Sequence, residues 1–278
     1  MGLIMGGIYA LISMGLSIQY GVAKILNVSH GEFIMIGGVV TFSLVSFGIH
    51  PLLALVLVCP LTVILGFILH RTLFERLKRV SKIAEVFESN AMLLGFGLMF
   101  IFVNVATRIW GPNPLGYSFM AFPVMLGPTA FPANRMLVLV FAIVIAVLFY
   151  LFLMKTRLGK SIRAASQDPV AASLMGVKIK TIMAICFGIG AMLAGVAGSL
   201  LSIITSLVTT MGMSYTVIAI IVVVLGGLGS VPGSLIGGFI LGVVGTIVTT
   251  YQPALVMVVF YAIIMALLIV RPKGLLGR

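Results

Sequence analysis

Acidic side chains are nearly missing from this chain. Glu32, Glu75, Glu85, Glu88 and Asp168 stand against 17 lysines and arginines, and all except Glu32 fall in or beside basic stretches. Transporters driven by protons or cations carry ionisable groups within the membrane, so ion coupling has almost nothing to work with here. Cysteine is limited to Cys59 and Cys186, both in apolar surroundings, which leaves no disulfide framework and no cysteine metal motif. His30, His50 and His70 stand apart, without an HExxH pattern, so zinc chemistry lacks support. Gly159-Lys160-Ser161 has the look of the end of a phosphate-binding loop, but position 154, where the first glycine belongs, is methionine. The chain itself therefore should not bind ATP. The first apolar run also lacks a basic leader and a small-residue cleavage site, so it is expected to stay in place.

What is present is apolar. Hydrophobic residues make up 62% and charged residues 8%, with a mean hydropathy of +1.31, whereas soluble domains are roughly 45–50% apolar and about 25% charged. The apolar runs reach about 18 residues or more, enough at about 1.5 Å per residue to cross a hydrocarbon core of about 30 Å. They lack the two-residue alternation of a barrel strand. The composition predicts an all-α, polytopic integral membrane protein, a single transmembrane domain over residues 1–278, with about 7 to 9 transmembrane helices. Spans are expected at residues 3–20, 33–48, 52–69, 91–109, 136–154, 182–208, 215–225, 234–250 and 254–270. Residues 215–225 are short for a crossing, and the Gly/Pro-rich stretch 226–233 follows them, so a broken or re-entrant helix is expected near the C-terminus.

A net charge of +12 would suit nucleic acid if it formed a patch, but the basic residues lie in short connections between spans and read as topology signals. Arg71, Arg76, Lys78, Arg79 and Lys82 form one group; Lys155, Arg157, Lys160, Arg163, Lys178 and Lys180 form another. Both groups and the C-terminal Arg271, Lys273 and Arg278 are expected on the cytoplasmic side. The uncharged connection 110–134, with Pro112, Pro114, Pro123, Pro128 and Pro132, is expected opposite. Nine crossings, or seven plus a re-entrant pair, satisfy this arrangement.

Small residues recur every four positions at Gly190, Ala194 and Gly198, at Gly233 and Gly237, and at Gly238 and Gly242, a spacing that lets helix backbones approach closely, whether inside the subunit or between subunits. Gly226, Gly227, Gly229, Ser230 and Gly233 are expected either to line a cavity or interface or to form a simple tight turn. Two readings of Glu32 stand side by side. Ser29 and Glu32 match a capping box at a helix start; alternatively Asn27, Ser29, His30 and Glu32 lie near the cytoplasmic end of a transport path, with Glu32 paired to Lys24 or to a substrate amine. Residues 168–176 carry complete helix signals: Asp168 to cap, Pro169 in the first turn, Ala171 and Ala172 as strong formers and Gly176 to close. Ala171, Leu174 and Met175 fall on one apolar face of this short helix.

Four stretches resemble the permeases of the branched-chain amino acid ABC importer family, which includes subunits for urea and short amides: YALISMGLSIQYGVAKILNVSHGEFIMIGG from position 9, TRLGKSIRAASQDPVAASLMGV from 156, VLGGLGSVPGSLIGG from 224 and RPKGLLGR from 271. Val28 and Ser29 depart from the family's Phe-Ala, and Val170 stands where many importers place a glutamate. The resemblance implies a permease subunit in a bacterial or archaeal inner membrane, of the shorter type, with its C-terminus in the cytoplasm. It also implies a homologous second permease, two cytoplasmic ATP-binding subunits that hold the ATP, and a soluble substrate-binding protein. Arg157, Gly159, Arg163, Asp168, Ala171, Ala172, Leu174, Met175 and Gly176 would belong to the segment coupling the permease to the ATPase. Branched-chain amino acids, urea, amides and aromatic acids all remain open as substrates. The alternative is a stand-alone secondary transporter or channel for a small polar solute.

Overall fold

Helices start where the sequence supplies a signal. Pro51, Pro169 and Pro232 each stand in a first turn, where a missing N–H costs nothing, behind capping residues His50, Asp168 and Ser230. The computed structural model describes residues 1–81, 83–126 and 129–277; Lys82, Pro128 and Arg278 lie outside the described residues. In chain order come α1 (Gly2–Ala23), α2 (His30–Ser46), α3 (Pro51–Leu69), a π-helical turn (His70–Phe74), α4 (Glu75–Val80) and α5 (Ala84–Trp110). A hairpin of β1 (Pro123–Leu126) and β2 (Thr129–Pro132) follows, then α6 (Ala133–Lys155), α7 (Arg157–Gln167), α8 (Pro169–Leu174) and α9 (Ile179–Ile204). The chain ends with α10 (Gly212–Gly226), α11 (Val231–Tyr251), a 3₁₀ turn (Pro253–Leu255) and α12 (Val256–Val270).

Among the described residues, seven helices are long and apolar enough to cross a membrane, and α2 and α10 are shorter apolar helices. The all-α reading therefore holds, with the small hairpin as an addition. The first basic connection is not a loop over most of its length. Nothing between Gly66 and Ser81 breaks a helix, so α3 continues through the π turn into α4 and carries Arg71, Arg76, Lys78 and Arg79 with it.

At the centre stand α1 and α9, buried along most of their lengths. α1 packs against α9 and α11, and α9 packs also against α2 and α3. Backbones meet where the small-residue ridges predict: Gly6 lies on Gly242, Ala10 on Gly238, Gly15 on Gly190, and Ile34 and Gly38 on Gly198. All the glycines of these ridges face helices of the same subunit. Hydroxyl and amide groups supplement the contacts: Ser13 Oγ donates to Ser234 O at 3.2 Å, Gln19 Nε2 to Phe187 O at 3.1 Å, and Thr41 Oγ1 to Ser199 Oγ at 2.8 Å. Such bonds between membrane helices are each worth about 0.6 kcal/mol on average. By contrast α5, α6 and α12 expose apolar faces, α12 burying only Phe260.

Pairings between helices give the chain's direction. α1 runs antiparallel to α9 and α11, since Gly15 meets Gly190 and Gln19 meets Phe187, while Gly6 meets Gly242 and Gly21 meets Gly229. The ends of α1, α3, α6, α10 and α12 and the starts of α5, α9 and α11 thus share one end of the molecule, which carries both basic groups and the C-terminal segment. Met1 lies toward the other end.

Candidate functional site

The two short helices begin inside the molecule. After α1 ends at Lys24, in a left-handed conformation (φ 54°), residues 25–29 climb back so that His30 lies beside Gly15 and near Gly190. Gly190 is eleven residues into α9, roughly 16 Å from its start. α10 starts at the same depth: Gly31 packs on Gly212, and Gly31 N donates to Thr216 Oγ1 at 2.8 Å, which itself donates to Val28 O at 3.1 Å. From this junction α2 and α10 run to opposite ends. Asn27, Ser29, His30 and Glu32 therefore lie at mid-depth, not near the basic end as the sequence reading had them.

All four side chains are buried. The capping box of Ser29 and Glu32 does not form, because Asn27 has taken its place: Asn27 Oδ1 accepts from Ser29 N at 3.2 Å and from Ser29 Oγ at 2.8 Å. Glu32 instead lies against Gly212, at the start of α10, and neither carboxylate oxygen has a partner. The Lys24–Glu32 pair is also absent. Lys24 sits over the Tyr20 ring at 5.4 Å, and the one ion pair among the described residues is Arg79–Glu75. His30 Nε2 contacts Ile12 O at 3.0 Å, while His30 Nδ1 and Asn27 Nδ2 lack partners. Unsatisfied polar atoms thus gather around the beginnings of two helices whose free amides carry partial positive charge. Sequence reasoning missed Gly212 and Thr216; a lone threonine in the apolar run 215–225 was the available signal.

Residues 226–233 form a tight turn between α10 and α11 and do not interrupt one continuous helix. Gly227 (φ 103°) and Gly229 (φ 81°) take left-handed conformations, Ser230 N donates to Gly227 O at 2.9 Å, and Ser230 Oγ accepts from Gly233 N at 3.3 Å. Gly226 and Gly233 touch backbone to backbone. The C-terminal segment closes over this turn, with Leu275 N donating to Leu225 O at 2.9 Å and Leu276 N to Gly226 O at 3.1 Å. Two of the family-like stretches are therefore one structural unit.

The segment after α6 folds as its signals predict. Asp168 Oδ1 accepts from Val170 N at 2.8 Å and Ala171 N at 3.0 Å, and Gly176 closes α8 with φ 86°. Leu174 and Met175 are 84% and 86% exposed, with Val170 and Ala171 also outside. Gly159 and Ala172 are buried and hold α7 and α8 in place; a side chain at Gly159 would strike the Phe152 and Leu153 carbonyls. Arg163 reaches back to Met154 O at 3.4 Å, a contact with the end of α6, whereas Arg157 is exposed.

At the opposite end a cavity of about 530 Å³ opens between the 110–134 connection and the end of α9, lined among others by Tyr117, Asn134, Ser202 and Ser206. Tyr117 Oη and Ser202 Oγ are 3.0 Å apart, and burial holds the phenol above its ordinary range. No charged side chain among the described residues lines this cavity. Among the described residues no cluster of metal-ligating side chains occurs.

A family model described as branched-chain amino acid transport system / permease component matches residues 1–268. The high-affinity branched-chain amino acid transport system permease protein BraD of Pseudomonas aeruginosa is 28% identical over all of this chain and 94% of its own length. The corresponding LivH protein of Escherichia coli is likewise 28% identical, with the same coverage. LivM of Escherichia coli, a permease protein of the same transport system, is 24% identical over 97% of this chain and 68% of its own length. No solved structure matches.

Proposed function

Since this chain belongs to the branched-chain amino acid transport permease family, we propose that it forms half of an import path for branched-chain or related small amino acids, powered by ATPase subunits docking on α8. As a member it is a multi-pass inner-membrane transport subunit and not an enzyme. The observation that carries the docking role is the exposed apolar face of α8. A helix of six residues does not hold itself in water, and Leu174 and Met175 find no groove on their own subunit. A chain without a nucleotide motif, presenting an apolar knob on its basic end, suits a partner that supplies both groove and nucleotide.

In this reading the basic end faces the cytoplasm, and a second permease of the same family covers an exposed apolar face. A soluble binding protein delivers solute to the uncharged cavity at Tyr117 and Asn134. The junction of α2 and α10 is the gate: helix starts at mid-depth, with unsatisfied polar groups around them, are how membrane proteins build a solute site without exposing backbone to lipid. The test is uptake in vesicles holding this chain with and without its ATPase subunits. Uptake that needs the ATPase and internal ATP supports the reading; uptake by the permease alone would favour a self-contained transporter.

A further inference from the structure

A second cavity, of about 350 Å³, lies at the basic end, and its lining includes no residue of α8, α2 or α10. Its size falls within the ~300–1,000 Å³ of ligand pockets. Ala23, Ile25, Phe74, Phe87, Ile179 and Met183 give it an apolar interior, and Lys78, Arg79 and Lys180 stand with them in its lining. Glu75 is the single lining carboxylate, and Arg79 already holds it at 2.7 Å. Among the described residues, Lys78 and Lys180 have no ion-pair partner. Lys78 Nζ has only the Met183 thioether, at 3.7 Å, and the Phe87 ring, at 5.8 Å, while Lys180 is exposed.

Two independent features mark the cavity as built. The π turn of residues 70–74 carries both His70 and Phe74 of the lining, and such turns are frequent at functional sites. His70 is 4% exposed, yet its Nδ1 has no partner. In the chain segment that follows Lys78 and Arg79, Val80, Ile83 and Val86 are exposed, with Val80 79% exposed. Exposed apolar side chains interleaved with lysines and arginines, where membrane helices emerge, describe a segment resting at a bilayer surface.

We propose that this cavity binds an anionic phospholipid, one acyl chain entering between Phe74, Phe87 and Met183 and the headgroup phosphate held by Lys78 and Lys180. A free phosphate has no use for the apolar interior. A zwitterionic lipid would bring its own positive charge to a rim that is already cationic.

The test uses the full chain purified from membranes and two photoactivatable lipids with identical labelled chains, phosphatidylglycerol and phosphatidylethanolamine. Phosphatidylglycerol is expected to label peptides around residues 74–87 and 179–183 several times more strongly. A cation near an anionic surface is worth about a factor of five, so Lys78→Gln with Lys180→Gln should weaken labelling about twentyfold or more, while Lys78→Arg with Lys180→Arg keeps it. Equal labelling by the two lipids, or full labelling of the glutamine variant, would overturn the proposal. So would displacement by glycerol phosphate as effective as by the intact lipid, or loss of labelling when ATPase subunits are added, which would assign the cavity to a protein segment.

Discussion

Glu32 and Asn27 show how much a single side chain decides in this protein. Asn27 occupies the amide and hydroxyl of Ser29, and Glu32 is left buried against Gly212 with neither oxygen satisfied. Removing one partner of a buried hydrogen bond costs about 1–3 kcal/mol. Asn27→Ala should therefore lower the thermal midpoint of the purified subunit measurably, and an unchanged midpoint would mean that water replaces the amide. Glu32→Gln keeps the shape and deletes a charge that burial disfavours, so it should leave the midpoint equal or higher. Uptake by the same variant should fall about tenfold or more if the carboxyl acts in the gate, a factor equivalent to about 1.4 kcal/mol. Unchanged uptake would reduce Glu32 to packing.

At the level of elements, α8 and the glycine turn separate shape from contact. Leu174→Asp changes an exposed side chain and should move stability by no more than about 0.5 kcal/mol, yet it should abolish co-purification with the ATPase because it puts a charge in an apolar groove. Retained association by a correctly folded Leu174→Asp variant would rule α8 out as the docking element. Gly176→Val acts differently. Open space surrounds that position, so the cost comes from the left-handed φ of 86°, disfavoured by about 1–2 kcal/mol for a residue with a Cβ. It should misdirect Val177 and weaken association without aggregation, readable by comparing chromatographic profile with ATPase capture. The limits of α8 were legible in the sequence because capping is local: Asp168, Pro169 and Gly176 lie within nine positions. The hairpin of β1 and β2 was not, since the uncharged connection carries no alternating pattern to announce it.

For the molecule as a whole, stability rests on backbones in contact across α1, α9 and α11. Gly242→Leu would drive a side chain into the backbone of α1 at Gly6; overpacking of this kind costs about 1–3 kcal/mol, and the variant should show reduced membrane yield and a lowered midpoint. Deleting residues 272–278 removes the donors of Leu275 and Leu276 from the end of α10 and should speed proteolysis within residues 227–230; equal cleavage rates would show that the segment merely rests there. Composition alone determined that the chain is a helical membrane protein, because 62% hydrophobic content leaves no soluble solution, and backbone groups in lipid must be satisfied within helices. Charge placement determined which connections share an end, and the family-like stretches determined the class of machine. Only the tertiary structure decided that α2 and α10 start together at mid-depth, that Glu32 has neither its cap nor its lysine, and that the C-terminal segment seals the glycine turn. Apolar periodicity reports that a residue is buried and not which helix buries it, whereas the meeting of α2 with α10 and the sealing of the turn depend on pairings far apart in the chain, such as Thr216 with Val28, 188 positions away; the lost cap is a local choice, Asn27 taking the Ser29 groups two positions on.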